Sequence, residues 1–206
     1  MSGAARPPIL VLVLGAAFLL LMASLLIGSL TKPEFPSYAV TLPEPVAVGD
    51  SLVGPVTYTL DASSADRWRY FDFSRNATVE SPGPGEWDLA FRRFHVRAAE
   101  PGGIVDLGAV PFDSVQELPS TSYVSGVDAD SSSPAVGKWY DYSWVTHLLT
   151  SKRHVYAMRT RDGRYAKLQI LAYYCQAVGA ACPTVHYAYQ GDRSRRVARA
   201  PKQRRP

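Results

Sequence analysis

The stretch Tyr165-Ala166-Lys167-Leu168-Gln169-Ile170-Leu171-Ala172-Tyr173-Tyr174 decides the fold. Ala166, Leu168, Ile170 and Ala172 fall on one side of an extended chain, and Tyr165, Lys167, Gln169 and Tyr173 on the other. Successive side chains of a strand point to opposite faces, so the pattern predicts a strand with one buried and one wet face. Just before it, Arg161-Asp162-Gly163-Arg164 predicts a two-residue Asp-Gly turn back to a strand-like run at residues 154–160.

Outward from this hairpin, short aromatic and β-branched runs recur between Gly, Pro and Asp breaks. They are Val56-Thr57-Tyr58-Thr59-Leu60, Trp68-Arg69-Tyr70-Phe71-Asp72-Phe73, residues 86–97, Lys138-Trp139-Tyr140-Asp141-Tyr142-Ser143-Trp144 and residues 184–190. Ser81-Pro82-Gly83-Pro84-Gly85 and Glu100-Pro101-Gly102-Gly103 separate them. Such runs are strand signals. Beyond residue 31 no long helical period occurs; residues 145–149 suit at most one helical turn. The expectation is an all-β chain: a single antiparallel, sandwich-like domain over residues 50–192.

The 206 residues carry a formal charge of +4, unevenly spread. Residues 193–206 hold seven Lys/Arg and no acid, whereas residues 31–192 hold 14 basic and 18 acidic residues. The positive balance therefore comes from the tail, which excludes a uniformly basic nucleic-acid-binding domain. A hydrophobic content of 47% excludes a disordered chain. About 160 residues suffice for one real core, not two.

Ile9–Leu30 is an uncharged run of 22 residues, roughly 33 Å long as a helix, enough to cross a bilayer core. It exceeds a secretory h-region and lacks a clean cleavage site after it, so it reads as an uncleaved signal anchor, a cleaved signal peptide being the alternative. Arg6 and the free N-terminus before it place residues 1–8 in the cytoplasm and the domain outside, in the periplasm of a bacterium. Ser24 and Gly28, four apart, would let another helix approach closely. Pro33, Pro36, Pro43 and Pro45 make residues 31–49 a stiff, extended linker. Export also favours a disulfide between Cys175 and Cys182, which close a Gly-containing loop and fit no common metal site.

Taken together, Tyr70-Phe71-Asp72-Phe73, Trp87-Asp88-Leu89-Ala90-Phe91-Arg92-Arg93, Pro101-Gly102-Gly103, Phe112-Asp113-Ser114-Val115, Trp139-Tyr140-Asp141-Tyr142, Val155-Tyr156-Ala157-Met158-Arg159 and Gly163-Arg164-Tyr165-Ala166-Lys167-Leu168-Gln169-Ile170 resemble, in order, the HmuY-like family of bacterial haem-capture proteins. The resemblance covers residues 55–190. It implies an exported, surface-tethered, all-β domain without enzymatic activity. Family members that capture haem grip the iron with two axial His or Met side chains from loops. They are usually lipoproteins, whereas this chain has a membrane helix and no lipid-bearing cysteine near it.

Of the four histidines, His147 and His154 are the candidate haem ligands. They flank a potential tight turn near Thr150-Ser151; in a hairpin there, their Cβ atoms would lie roughly 5 Å apart. A wide loop at residues 145–152 would instead spread them far enough to sandwich a haem. His95 and His186 sit within strand-like runs. No G-x-S-x-G, H-E-x-x-H, C-x-x-C or phosphate-cradling loop is present, so no catalytic residue and no metal site is expected. Asp128 and Asp130 resemble half a calcium loop, and Asn76-Ala77-Thr78 matches a glycosylation acceptor. The tail cations Arg193, Arg195, Arg196, Arg199, Lys202, Arg204 and Arg205 suit anionic lipid or an acidic protein surface.

The retained anchor, four histidines that do not map onto the family's ligand positions and the segregated tail lead to one expectation. The chain is a non-catalytic, single-pass inner-membrane accessory subunit of a bacterial respiratory or photosynthetic assembly, requiring no cofactor and partnered by integral membrane subunits. The alternative is an HmuY-like haem or tetrapyrrole-binding protein of the cell envelope.

Overall fold

A computed structural model describes residues 8–30, 35–83, 85–127, 132–176 and 179–198. It divides into two compact units, residues 1–35 and 36–206. The first holds a single helix, α1 (Ile9–Leu30). Of this, Ile9–Gly28 is long and apolar enough to cross a membrane, and none of it is buried against protein.

The second unit is built of β1 (Ser37–Tyr38), β2 (Leu52–Thr59), β3 (Arg69–Asp72), β4 (Ala77–Val79), β5 (Leu89–Arg92), β6 (His95–Ala98), β7 (Gly103–Asp106), β8 (Tyr140–Tyr142), β9 (Leu149–Ser151), β10 (Val155–Arg159), β11 (Tyr165–Cys175) and β12 (Ala180–Gln190). One sheet has the order β2-β12-β11-β10-β7, with β1 parallel beside the end of β11. A four-stranded sheet, β4-β3-β5-β6, faces it, and β8 and β9 form a separate hairpin. All pairings except β1 with β11 are antiparallel, as the alternating pattern requires.

Ala166, Leu168 and Ile170 do line the core, with Tyr58, Phe71, Phe73, Leu89, Phe91, Tyr187 and Tyr189 from both sheets, but the register shifts after Ile170 and it is Tyr173, expected on the wet face, that joins them. Apolar burial of this kind contributes roughly 1.5–3 kcal/mol per large side chain. The opposite face of β11 is only partly wet. Residues 107–118 cross over it, burying Lys167, whose Nζ donates to the carbonyls of Phe112 and Val115 at 2.8 Å each and lies over the Phe112 ring. Burial lowers the pKa of this ammonium.

Three local expectations are corrected. The β10–β11 connection has three residues, 161–163, not two: Gly163 N donates to Thr160 O, and Thr160 N to Arg164 O. Gly163 has φ +81° while Asp162 keeps a negative φ, and a two-residue Asp-Gly turn needs both positive. Residues 86–97 form the hairpin β5–β6 rather than one strand, reversing at Arg93 with φ 53°.

The proline-rich segment is not a free spacer. Ser37 pairs with Tyr174, Thr41 N donates to Thr59 O, and Val46 N and Val48 N donate to the carbonyls of Arg75 and Ser74. Residues from Ser37 onward, well ahead of residue 50, are therefore bonded to the domain.

Candidate functional site

Between β8 and β9 the chain reverses through residues 143–148. Ser143 N donates to Leu148 O at 2.9 Å and His147 N to Ser143 O at 2.8 Å, the second closing one helical turn. His147 is held there at φ 56°. Its Nδ1 shares a 2.5 Å hydrogen bond with the Tyr142 hydroxyl. The Tyr142 ring packs edge-on against Trp144, centroids 5.1 Å apart. Trp144 is 82% exposed and Val145 89%. The result is an outward-facing cluster of two aromatic rings, an aliphatic side chain and one imidazole. Among the described residues no hydrogen bond engages His147 Nε2. A histidine that binds a metal through Nε2 characteristically donates from Nδ1 to a neighbour, and Tyr142 Oη can accept that proton.

His154 lies beyond the other end of β9, just before β10. Its Nδ1 donates to Asp106 Oδ2 at 2.8 Å, an imidazole–carboxylate pair oriented from β7. The expected turn at Thr150-Ser151 does not exist, because both residues belong to β9 and pair with Asp141 and Tyr140. His147 and His154 are therefore not cross-strand neighbours; the strand separates them.

The other histidines serve the fold. His95 Nδ1 meets Ser132 Oγ at 3.3 Å and its ring lies on Phe94; His186 Nδ1 meets Thr57 Oγ1 at 2.9 Å and its ring lies on Phe112. Cys175 and Cys182 are joined, the loop between them linking β11 to β12. Ser24 Oγ donates to Leu21 O within α1, and a methyl group placed on Gly28 would meet nothing within 4 Å beyond the helix's own backbone among the described residues. The described start of the tail, residues 193–198, is bonded to the domain. Leu118 N donates to Arg195 O and Val197 N to Gln116 O, Arg195 pairs with Glu117 at 2.7 Å, and Val197 is buried. The Arg196 carbonyl accepts from Gln190, and Arg193 sits in the preceding turn. Arg6, Asp128, Asp130, Arg199, Lys202, Arg204 and Arg205 lie outside the described residues.

Sequence reading missed Trp144 and Val145 as a surface feature, although residues 142–149 hold no acid, Lys or Arg. It also missed a cleft of about 260 Å³ lined by Asp72, Glu86, Trp87, Asp88, Arg161 and Asp162. Asp88 is buried there and Phe73 N donates to its Oδ2 at 3.0 Å. Burial, then the Asp72 charge, push its carboxyl up to about 7. Among the described residues no group of three or more His, Cys, Asp or Glu is placed to hold a metal ion.

The family model described as HmuY protein matches residues 64–187, more than half of the chain. The chain belongs to the HmuY family. Its sandwich is similar to solved structures of that fold. One is an apo HmuY analogue from Tannerella forsythia, at 15% identity and a TM-score of 0.55, covering 69% of this chain and 98% of that one. A putative HmuY-like haem-binding protein from Bacteroides vulgatus has 21% identity and a TM-score of 0.54, covering 64% and 89%. A putative lipoprotein from Bacteroides fragilis has 16% identity and a TM-score of 0.55, covering 69% and 91%. No curated protein sequence matches the chain. The HmuY model starts after α1 and β2 and ends within β12, so neither α1 nor the tail is part of the family match.

Proposed function

We propose that this chain is a membrane-anchored envelope protein that binds a tetrapyrrole at the β8–β9 hairpin, with His147 as iron ligand. The observation that carries the reading is the exposed cluster of Tyr142, Trp144 and Val145 around an imidazole engaged at Nδ1 and open at Nε2. A haem needs an axial nitrogen and an apolar surface against its ring. The donor and apolar side chains of this hairpin fit both needs. Bound haem would supply an iron that accepts the imidazole lone pair; the rings of Tyr142 and Trp144 would lie against the macrocycle. His154, held by Asp106, is the candidate for a separate or second contact.

Family membership favours binding over catalysis. One relative reported above is described as a putative haem-binding protein and another as a putative lipoprotein, which supports the tetrapyrrole reading over the accessory-subunit reading. In this reading α1 stays in the inner membrane with the N-terminus cytoplasmic and the domain periplasmic.

The test is haem titration of the full chain in lipid nanodiscs, with empty discs subtracted. A Soret shift is expected in the wild type. His147→Ala should weaken binding at least about tenfold, or about 1.4 kcal/mol, while His154→Ala retains the spectrum. A spectrum unchanged in His147→Ala removes His147 from the site.

A further inference from the structure

The chain's entry into the domain and the exposed hairpin tip occupy the same end of the sandwich, tied together by one tyrosine. Ser37 of β1 pairs with Tyr174 of β11, and the Tyr174 hydroxyl accepts a 2.8 Å hydrogen bond from Leu149 N. Leu149 stands opposite Tyr142 at the turn end of β9. Seven peptide links separate Leu30 of α1 from Ser37, a reach of at most about 25 Å.

Trp144 and Val145 are more exposed than any other large apolar side chain among the described residues of 35–198. The nearest charge in sequence, Asp141, directly precedes Tyr142 and faces Thr150 on β9; its carboxylate lies 3.8 Å from the Lys152 ammonium. The turn's own hydrogen bonds, Ser143 N to Leu148 O and His147 N to Ser143 O, satisfy backbone groups that would otherwise be costly to take out of water. Trp and Tyr favour the membrane–water interface, where an apolar body and a polar tip are both accommodated.

We propose that the tip Tyr142-Ser143-Trp144-Val145 docks in the interfacial layer of the bilayer that anchors the chain. A short tether makes this an intramolecular event, with an effective concentration in roughly the millimolar range, so a small patch suffices. For its ligand the idea rests on the tetrapyrrole reading above: docking would place that hairpin where lipid-dissolved tetrapyrrole is met. The lipid contact itself is measured without ligand.

The full chain is reconstituted into phosphatidylcholine vesicles with or without bromine on the acyl chains, and tryptophan fluorescence is read. Trp139 is buried and Trp68 and Trp87 are half-buried, so quenching should be carried by Trp144. Bromolipid quenching is expected in the wild type and should disappear in Trp144→Ala. Val145→Asp, which keeps the reporter but adds a charge to the tip, should reduce it at least twofold. Equal quenching in wild type and Trp144→Ala, or undiminished quenching in Val145→Asp, overturns the proposal; an exposed tip free of lipid would then point to a protein partner. Quenching without a Soret shift keeps the docking and discards the tetrapyrrole.

Discussion

Trp139→Ala should lower folding stability by about 3–5 kcal/mol, the range for truncating a fully buried aromatic side chain. Trp139 is 1% exposed, and its ring contacts Tyr140 and Tyr173 at 5.2 and 5.9 Å. Its indole Nε1 donates to the Phe94 carbonyl at 2.9 Å. Alanine would leave a void and strip that carbonyl of its donor together. Because domains are stable by only about 5–15 kcal/mol, one such change removes much of the margin. Trp139→Phe retains most of the volume and loses the hydrogen bond, so its cost should be smaller, about 1–3 kcal/mol. Urea denaturation followed by far-ultraviolet circular dichroism separates the two variants. A loss below about 1 kcal/mol for Trp139→Ala would mean that the β8–β9 hairpin is not pinned to the core through this ring.

The wild-type domain should become less stable as pH rises from about 4 to about 7, and Asp88→Asn should flatten that dependence. Asp88 has its folded pKa raised to about 7 from an ordinary 3.8, by burial first and by the Asp72 charge second. In this window the folded state holds a proton that the unfolded state has released, so raising the pH favours unfolding. The full effect is on the order of 4 kcal/mol and is complete once the pH passes the folded value. The groups facing Asp88 are Asp72 on β3 and Asp162 with the Arg161 backbone amide on the β10–β11 turn. Asp162 is already matched to Arg164 at 2.7 Å, and Asp72 lies 3.4 Å from Arg75. Denaturation midpoints taken across pH 4–8 decide the matter: parallel curves for wild type and Asp88→Asn would show that Asp88 stays ionised throughout.

Much of this fold is legible in the residues because a strand writes its burial directly into a two-residue period. The face of β11 formed by Ala166, Leu168 and Ile170 is readable on that ground alone, whereas the shift that brings Tyr173 into the core is not. Nor is the buried side of Lys167, because what holds it, Phe112 and Val115, lies more than 50 positions away. Short strands such as β4, β7 and β9 carry too few alternations to register. The proline-rich segment misleads for a different reason. Proline signals an extended backbone but is silent on whether a neighbouring strand edge is there to receive it.

The candidate site was half visible. His147 stood out as a titratable residue in a loop, but its distance from His154 depended on where the chain turned. That turn was set by Ser143 and Leu148, which hydrogen-bond across residues without a strong turn signature. Trp144 reads as core in any strand-like run, and only the position of the turn makes it a surface residue. Asp88, immediately before Leu89 at the start of β5, gives no hint of its raised pKa until Asp72 and the 161–163 turn are brought beside it.

The way the chain is fastened from Ser37 to Val48 has a mechanical consequence. Tension along the segment from α1 loads two paired residues at β1, then the two bonds between Thr41 and Thr59, then the single bonds from Val46 and Val48 to residues 75 and 74, one after another. Such contacts unzip in sequence at low force, whereas the long β11–β12 ladder behind them would have to shear as a whole. Pulling would release about a dozen residues, some 40 Å at about 3.4 Å each, before the sandwich itself yields. The segment is thus stored on the domain as slack, available when the distance to α1 has to grow.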